Sequence, residues 1–338
     1  MAIQAHSLRI TDVAAQGKDA ILLTLEVDEP LQQAFRFQSG QYLTLGVTVE
    51  GDEHWRCYSI TSEPISGQPI SVLVRRVAGG RVSNWLCDQA RVGEYIRVLP
   101  PAGHFTLARP GSPVLLYAGG SGIAPIYALA REALAQGSPR VRMFYANRDR
   151  DTAMLLSELQ ALEQQADGRL EIQHWYDAEQ GLPSTALLSA QAEGQAQADV
   201  YLCGPEPFMR AVQASVQTAG IAAQQVHLED FGATMEADAG PTSGAGDAPD
   251  ALLTVQMKGV DHAVPVRDGE MLLAAMLRAG LPAPHACRVG ECASCMCRLQ
   301  EGEVQRLENS VLDDDDVADG WLLACRARAA SPSLRIKF

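Results

Sequence analysis

Residues 287–295 read CRVGECASC and, together with the distant Cys325, they set out the spacing C-x4-C-x2-C…C. This spacing is typical of a [2Fe–2S] cluster. Three thiolates on one tight loop wrap the two irons and two sulfides, and a fourth thiolate from a separate strand closes the cage. Cys287, Cys292, Cys295 and Cys325 are therefore the candidate metal ligands, and Gly290 suits a loop whose amides turn toward sulfur.

Two other interpretations of these cysteines stay open, namely a structural zinc site and a set of buried free thiols. Zinc sites usually arrange four cysteines as two close pairs, and this stretch holds one C-x2-C. Cys297 is interpreted as a fifth thiol that binds no metal. The alternative is that Cys297 takes the place of one of the four candidate ligands. Five of the eight cysteines crowd into residues 287–325, which favours a metal site in a reducing cytoplasm over a disulfide scaffold.

The composition is that of a folded globular chain. It has 338 residues, of which 47% are hydrophobic and 20% charged, so two or three domains are expected. The formal net charge of −14 argues against nucleic acid and against an anionic membrane as partners. The sequence predicts neither a signal peptide nor a membrane span, so a soluble, cytoplasmic protein is expected.

Outward from the cysteines, the sequence predicts a multidomain chain. Residues 1–104 alternate short β-type runs with turn residues, which predicts an antiparallel β-barrel with one short helix. Residues 105–232 alternate strands and helices, which predicts an α/β domain with a parallel sheet. Residues 233–250 are small and acidic and contain glycine and proline, so they are predicted to be a flexible linker. Residues 251–338 form the last unit, around the cysteines.

A glycine turn, Gly119-Gly120-Ser121-Gly122-Ile123-Ala124-Pro125, joins a predicted strand to a predicted helix. Glycines let the backbone approach a diphosphate, and the helix start supplies unpaired amides and a positive dipole end. Pro125 suits the first helical turn. An ordinary turn before a helix is the alternative, because such turns are common.

A second candidate site joins Arg56-Cys57-Tyr58-Ser59 to the glycine-rich helix start at residues 79–83. Tyr58 could stack on a flavin ring, Ser59 could reach its N5 atom, and Arg56 could pair with its phosphates. The amides from Gly80 onward form an anion nest at a helix N-terminus. The alternative is an ordinary strand with an exposed arginine.

Taken together, these motifs resemble the ferredoxin–NADP reductase superfamily over residues 1–232, and residues 251–338 resemble plant-type ferredoxins. The resemblance implies a β-grasp fold (α+β) for the last unit, and FAD rather than FMN as the flavin. The flavin contacts that it implies are Arg56, Cys57, Tyr58, Ser59, Val74, Arg75, Gly80, Arg81, Val82 and Ser83. The nicotinamide contacts that it implies are Gly119, Gly120, Ser121, Gly122, Pro125, Asn147, Arg148, Cys203, Gly204 and Pro205.

The resemblance also implies four residues close to the reacting rings, namely Ser59, Cys203, Glu229 and Phe231. Cys203 would shape the nicotinamide pocket or be a buried structural thiol. Glu229 would relay a proton, and Phe231 would shield the flavin or pack in the core. Arg148 favours the 2′-phosphate of NADPH whereas Asp149 repels it, and the broader resemblance favours NADH with NADPH left open.

The order of flavin, nucleotide and ferredoxin units is similar to that in reductase components of bacterial oxygenases. Stretches such as residues 98–103 and 144–149 most resemble the reductase components of 3-ketosteroid 9α-hydroxylases, a family of Rieske monooxygenases. The resemblance implies an enzyme that passes electrons from NAD(P)H through FAD and [2Fe–2S] to a Rieske-type oxygenase. Three alternatives remain: the reductase of a phenylacetyl-CoA epoxidase-type di-iron oxygenase, the reductase of a hybrid cluster protein, and a redox-sensing iron–sulfur module.

Overall fold

The computed structural model describes residues 4–231, 251–257, 259–285, 287–290, 292–309 and 311–338. The predicted linker, residues 233–250, lies outside the described residues. The chain divides into two compact units. One comprises His6–Leu43 and Tyr58–Gly232, and the other comprises Met1–Ala5, Thr44–Cys57 and Ala233–Phe338.

The first sheet has six strands in the order β4-β3-β6-β1-β2-β5. Strand β1 pairs antiparallel with β2 and β6, and β2 pairs antiparallel with β5. The strands are β1 (His6–Gln16), β2 (Ala20–Glu26), β3 (Tyr42–Val49), β4 (Asp52–Ser59), β5 (Ile70–Arg75) and β6 (Tyr95–Ala102). One helix, α1 (Arg81–Gln89), follows β5. The antiparallel sheet with its short helix agrees with the prediction for this part of the chain.

Strand β1 is an element that the sequence pattern does not predict. Its pairing with β2 shifts register between Ile10 and Asp12. A bulge of this kind breaks the alternation of buried and exposed residues on which a strand prediction depends.

The second sheet is parallel and has five strands in the order β11-β10-β7-β8-β9. Its strands are β7 (Val114–Gly119), β8 (Val141–Asn147), β9 (Leu170–Tyr176), β10 (Asp199–Cys203) and β11 (Val226–Glu229). The helices are α2 (Ile123–Ala135), α3 (Leu156–Gln165), α4 (Asp177–Gln180), α5 (Thr185–Ala192) and α6 (Glu206–Thr218). Every residue of β7 is buried, as expected for a strand covered on both faces.

Helix α3 begins later than the sequence predicts. The pattern predicts a helix over Ala153–Gln165, but the helix starts at Leu156. Leu155 has φ 56°, in the left-handed region, which a right-handed helix does not allow. The preceding residues instead form a loop against the β1–β2 turn, where Leu155 N donates to Gln16 Oε1 at 2.9 Å.

The C-terminal residues form a third sheet with the order β13-β12-β18-β14-β16 and a two-stranded β15-β17 pair. The strands are β12 (Ala251–Met257), β13 (Val260–Val266), β14 (Met296–Glu301), β15 (Val304–Arg306), β16 (Trp321–Leu323), β17 (Ala327–Ala329) and β18 (Ser333–Lys337). The helices are α7 (Leu272–Arg278) and α8 (Asp314–Ala318). The described part of the chain contains no helix with the length and apolar character that a membrane crossing requires.

Candidate functional site

The glycine turn lies where the parallel sheet meets helix α2. Gly120–Gly122 form one turn of 3-10 helix that runs directly into α2 at Ile123. Gly120 has φ 53°, in the left-handed region, where glycine is the least strained residue. The first amides of α2 therefore stand at the carboxyl end of β7, which is the arrangement that binds a diphosphate.

The glycine turn packs closely against the segment Cys203-Gly204-Pro205, with no room for side chains between the two backbones. A Cβ atom at Gly122 would lie 2.1 Å from Cys203 O, and one at Gly119 would lie 2.8 Å from Pro205 Cδ. A Cβ atom at Gly204 would lie 2.9 Å from Gly119 Cα. The structure thus brings together the two motifs that the sequence linked to nicotinamide, because β7 and β10 are paired neighbours in the sheet.

Cys203 is fully buried at the end of β10. Burial first, and then the charges of Glu229 and Asp230, raise the pKa of its thiol well above the usual value. A thiol with a raised pKa stays protonated and is a poor nucleophile. The geometry therefore favours the interpretation of Cys203 as a wall of the pocket.

Glu229 and Phe231 lie at and just after the carboxyl end of β11, the strand next to β10. Glu229 pairs with Cys203 in the register of β10 and β11, so the carboxyl-bearing residue lies next to the buried thiol. Phe231 is half-buried and packs against the hydrophobic cluster that includes Cys203. The core contact of Phe231 is thus observed, and its role as a flavin shield stays a prediction.

The predicted flavin residues lie on β4, on β5 and at the start of α1. On β4, Ser59 is buried and Tyr58 is half-buried, and Arg56 Nη1 donates to Trp55 O at 2.8 Å. At the end of β5, Val74 is fully buried and Arg75 is half-buried. Arg81 is exposed in the first turn of α1.

The turn before α1 is held by Ser83. Gly80 is the N-cap residue of α1, and Ser83 Oγ accepts a hydrogen bond from Val77 N at 3.2 Å. A Cβ atom at Gly80 would lie 2.7 Å from Ser83 Oγ, so glycine is required for this close approach. Val82 is buried and anchors the first helical turn. The sequence predicts these amides to be a second anion-binding helix start, and that role stays a prediction.

The carboxyl ends of β8 and β9 carry polar residues beside the glycine turn. Gly119 pairs with Ala146, so Asn147 is the next residue along the neighbouring strand. Asn147 is only 4% exposed, and neither atom of its amide makes a hydrogen bond of ordinary geometry among the described residues, although its amide lowers the pKa of the Tyr145 phenol. Such a buried amide is costly unless a ligand pairs with it.

Arg148 and Asp149 pair with each other. Arg148 Nε lies 3.1 Å from Asp149 Oδ2, and Thr152 donates to Asp149 Oδ1 from both its amide and its hydroxyl at 2.8 Å. These bonds, those from Thr152 first, lower the pKa of Asp149. The Arg148 charge is thus already compensated by a carboxylate.

Asp177 is a residue that the sequence reasoning missed. It follows β9 directly, and its Oδ1 atom is buried with no hydrogen-bond partner in the part of the chain that the structure describes. Burial raises the pKa of this carboxyl. Asn147 pairs with Tyr176 in the register of β8 and β9, so Asp177 lies beside the same edge. In the sequence, Asp177 could have been identified as an acidic residue directly after the third predicted strand of the parallel sheet.

The cysteine loop lies in the C-terminal sheet unit and turns sharply. Gly290 has φ 87°, and Arg288 and Ala293 also have left-handed backbones, at 59° and 55°. A Cβ atom at Gly290 would lie 2.7 Å from Arg326 Cγ. Gly290 thus allows the loop to approach the segment that carries Cys325.

The four predicted ligands are brought together as two pairs of buried thiols. Cys287 N donates to Cys292 Sγ at 3.3 Å, which sets the first pair. In the second pair, hydrogen bonding between the two thiols lowers the pKa of Cys295 and raises that of Cys325 well above its usual value. None of the four side chains belongs to a residue more than 5% exposed.

The fourth cysteine lies apart from the loop, but on a 3-10 helix between two short strands rather than on the strand that the sequence predicted. Cys325 lies on a short 3-10 helix after β16, and Ala324 N donates to Cys295 O at 3.1 Å. The charges of Cys287 and Cys292 also raise the pKa of Cys325, so all four sulfurs share one electrostatic environment.

Over the described ranges, no group of three or more His, Cys, Asp or Glu side chains is arranged to hold one metal ion. A [2Fe–2S] cluster distributes four thiolates over two irons. The fully buried Cys297 packs in the hydrophobic core, where burial first, and then the Cys295 charge, raise the pKa of its thiol.

Three domain families match the chain in succession. Residues 7–107 match the oxidoreductase FAD-binding domain, and residues 116–214 match the oxidoreductase NAD-binding domain. Residues 255–330 match the 2Fe-2S iron-sulfur cluster binding domain. The chain therefore has domains for FAD, NAD and [2Fe–2S], as the motifs predicted.

Relatives match the chain over nearly its whole length. The chain is 37% identical to the ferredoxin reductase component of 3-ketosteroid-9-alpha-monooxygenase from Mycobacterium tuberculosis, over 98% of this chain and 95% of that protein. It is 30% identical to a component of the 1,2-phenylacetyl-CoA epoxidase from Escherichia coli, over 98% of this chain and 97% of that protein. The structure of phthalate dioxygenase reductase matches with a TM-score of 0.63 at 24% identity, over 99% of this chain and 98% of that chain.

Proposed function

Because the chain belongs to the family of oxygenase reductase components with FAD-binding, NAD-binding and [2Fe–2S] domains, we propose that it passes electrons from NADH to a Rieske-type oxygenase. The oxygenase is proposed to be one that hydroxylates a steroid nucleus. The observation that carries this choice is the 37% identity with a 3-ketosteroid-9-alpha-monooxygenase reductase over 98% of the chain.

The proposed site has two anion-binding turns, one for each diphosphate, and a buried residue that forms one wall of the nicotinamide pocket. The turn at Gly120–Gly122 binds the coenzyme diphosphate, and the turn at Gly80–Ser83 binds that of the flavin. Cys203 closes the pocket behind the nicotinamide, and the buried Ser59 hydroxyl orients the flavin ring at N5. When bound, FAD converts the two-electron supply of NADH into single electrons that a [2Fe–2S] cluster carries onward.

The thiol pairs define the proposed iron ligands. Cys287 and Cys292 would hold one iron, and Cys295 and Cys325 the other, with Cys297 left unligated. Plant-type clusters lie near about −400 mV, whereas Rieske centres lie at about −150 to +300 mV. A difference of about 250 mV is worth about 6 kcal/mol for one electron, so delivery to a Rieske centre is downhill.

Finer features of the architecture are part of the proposal. The six-stranded sheet is proposed to close as a barrel within residues 1–104, followed by the nucleotide domain over residues 105–232. Residues 251–338 are proposed to form a β-grasp, which is supported by the parallel pairing of β12 with β18 beside helix α7. The proposed location is the cytoplasm, where reduced thiols persist.

NADH is proposed as the coenzyme because of the charges at the adenosine end. Asp177 and Asp149 both lie at the carboxyl edge of the sheet beside Asn147, and the Arg148 charge is paired with Asp149. A carboxylate at such an edge accepts the 2′-hydroxyl of an NADH ribose. The same carboxylate repels a 2′-phosphate.

Asp177→Asn is expected to raise kcat/KM for NADPH by about tenfold or more, equal to about 1.4 kcal/mol, because repulsion of the 2′-phosphate is removed. kcat/KM for NADH should fall by a smaller factor. Glu171→Gln is the matched control, since it removes the same charge at the opposite end of β9, where Glu171 pairs with Arg142. Steady-state kinetics with both coenzymes check this, and an unchanged NADPH rate would contradict the role of Asp177.

The pH dependence of the coenzyme preference follows from the ionisation of the Asp177 carboxyl. Burial raises the pKa of Asp177, whereas the pKa of Asp149 is lowered. As the pH falls, Asp177 therefore loses its charge before Asp149 does. The preference for NADH over NADPH should weaken toward acidic pH in the unaltered protein, and Asp177→Asn should remove that trend.

The proposed partner can be tested against the main alternative. The purified reductase, loaded with FAD and the cluster, is mixed with NADH and either a 3-ketosteroid 9α-hydroxylase oxygenase or a phenylacetyl-CoA epoxidase oxygenase. Both reactions are monitored by stopped-flow absorbance. We expect the Rieske centre of the steroid hydroxylase to be reduced faster than the di-iron centre of the epoxidase. Faster electron delivery to the di-iron epoxidase, which the 30% identity with a component of that system allows, would overturn the steroid assignment.

A further inference from the structure

A cavity of about 340 Å³ lies between the antiparallel sheet and the helices of the NAD-binding domain. Leu22 of β2 and Ser71 of β5 line it from the FAD-binding domain, and Tyr127 of α2 and Leu155, just before α3, line it from the NAD-binding domain. All of these residues belong to one compact unit. None of the residues that line the cavity is a predicted flavin or coenzyme contact, and its volume suits a small molecule.

Tyr127 brings a buried hydroxyl to this cavity. The residue is only 9% exposed, and its hydroxyl makes no hydrogen bond to any residue that the structure describes. The hydroxyls of Tyr117, Tyr145 and Tyr201 in the same domain all bond to backbone groups. Burial raises the pKa of the Tyr127 phenol, so it stays protonated. A buried hydroxyl without a partner is costly, so the cavity is where a ligand can supply one.

The only guanidinium that lines the cavity within the described ranges belongs to Arg131, and it is already engaged. Arg131 Nη1 donates to Thr61 O at 3.2 Å, and Arg131 Nη2 lies 2.6 Å from Glu63 Oε1. The guanidinium also lies 5.4 Å from the centre of the Tyr127 ring. The charges of Arg131 and Glu63 therefore cancel, and Arg131 is not available to an anionic ligand.

Glu158 of α3 supplies a carboxylate whose charge is not compensated. Its oxygens accept hydrogen bonds from Gln16 Nε2 at 3.0 Å and from Ser157 Oγ at 2.8 Å, and both donors are neutral. Within the described part of the chain it forms no ion pair. Its charge acts on the phenol of Tyr127, so the two groups are neighbours. A carboxylate has about four lone-pair sites, which leaves acceptor capacity for a ligand.

We propose that this cavity binds a small organic cation, a primary ammonium group on a short apolar chain, between Glu158 and Tyr127. An ammonium group donates several hydrogen bonds, so it can bond to the carboxylate and to the hydroxyl oxygen together. A bond between two charged groups is stronger than one between neutral groups. The apolar chain of the ligand lies against Leu22 and Leu155. The ligand thereby joins the FAD-binding and NAD-binding domains at a place separate from their predicted cofactor contacts.

The test titrates n-butylammonium chloride into the full-length protein loaded with FAD and the cluster, followed by isothermal titration calorimetry at constant ionic strength. One butylammonium ion should bind per chain, with a Kd about tenfold or more below that of 1-butanol, because the charged bond to Glu158 is lost in the alcohol. Butyrate, which has the opposite charge, should not bind. Equal affinity for 1-butanol, or a preference for butyrate, would overturn the inference.

Two substitutions address the proposed contacts. Glu158→Gln should raise the Kd for butylammonium about tenfold or more, since it removes the charge and keeps a side-chain oxygen as acceptor. Tyr127→Phe, which removes only the hydroxyl, should raise the Kd severalfold. Glu163→Gln is the matched control, because Glu163 lies on the same helix but does not line the cavity.

The control distinguishes a built site from general attraction. A chain with a net charge of −14 attracts cations without a specific site, and that attraction would weaken equally in Glu158→Gln and Glu163→Gln. Equal effects of these two substitutions, or an unchanged Kd in both Glu158→Gln and Tyr127→Phe, would contradict the proposal. Butylammonium should also raise the Tm of the unaltered protein more than that of Glu158→Gln.

Saturation with NAD⁺ shows whether the cavity is distinct from the coenzyme site. The Kd for butylammonium should be the same with and without NAD⁺, because the residues that line the cavity are not coenzyme contacts. Loss of butylammonium binding on addition of NAD⁺ would place the amine in the coenzyme site and overturn the inference. Since the readout is binding, the result does not depend on which oxygenase accepts the electrons.

Discussion

Cys325→Ser should give a protein that still reduces ferricyanide with NADH but has lost the visible absorbance of the cluster and its reduction of cytochrome c. Cys325 is the only proposed ligand outside the loop of residues 287–295, and it pairs with Cys295. Without it, one iron keeps a single protein thiolate, and the cage opens on that side. The FAD-binding and NAD-binding domains occupy other parts of the chain, so NADH oxidation by the flavin continues.

The matched control for this experiment is Cys297→Ala. Cys297 is fully buried in the core of the C-terminal sheet, so its loss should reduce stability modestly while the cluster is retained. Iron content, visible absorbance and the EPR spectrum of the dithionite-reduced protein distinguish the two variants. A full cluster in Cys325→Ser, or cluster loss in Cys297→Ala, would show that the ligand set includes Cys297.

A second large effect is expected from Gly122→Ala. The added methyl group would lie 2.1 Å from Cys203 O and 2.4 Å from Cys203 C. Both are backbone atoms of the paired strand, so they cannot move aside as a flexible side chain would. We expect flavin reduction by NADH to slow by about 100-fold or more as the turn is displaced from the pocket wall, because misplacement by about 1 Å can have that effect. The free energy of unfolding should fall by about 3 kcal/mol.

Gly137→Ala provides the comparison at a glycine without neighbours. Gly137 has φ 80° and no atom within 4 Å of a Cβ position. The substitution should therefore cost about 1–2 kcal/mol from backbone strain alone and leave NADH kinetics unchanged. The FAD content of the protein after gel filtration tests whether Gly122→Ala still holds FAD. Normal NADH kinetics in Gly122→Ala would mean that the turn does not form part of the coenzyme site.

Much of the nucleotide-binding sheet was predictable because its signals are local. A strand buried on both faces, such as β7, is a continuous apolar run, and a glycine turn followed by a helix is read from adjacent residues. The strand β1 was not predictable in this way, because its register shift interrupts the alternation. The left-handed backbone of Leu155 likewise shortens α3 without any mark in the helical pattern.

The amino-acid sequence by itself determined which cofactor chemistries this protein can hold. The cysteine spacing, the two glycine-rich turns and their order along the chain are properties of short segments, and they predicted the FAD, NAD and [2Fe–2S] domains that the family matches confirm. Only the tertiary structure decided how distant residues combine. It set the pairing of Cys295 with Cys325, the contact of Gly122 with Cys203, and the position of Arg75 beside Gly120. These depend on strand register and on sheet-to-sheet packing, which join residues that are far apart in the chain and leave no periodic signal in it.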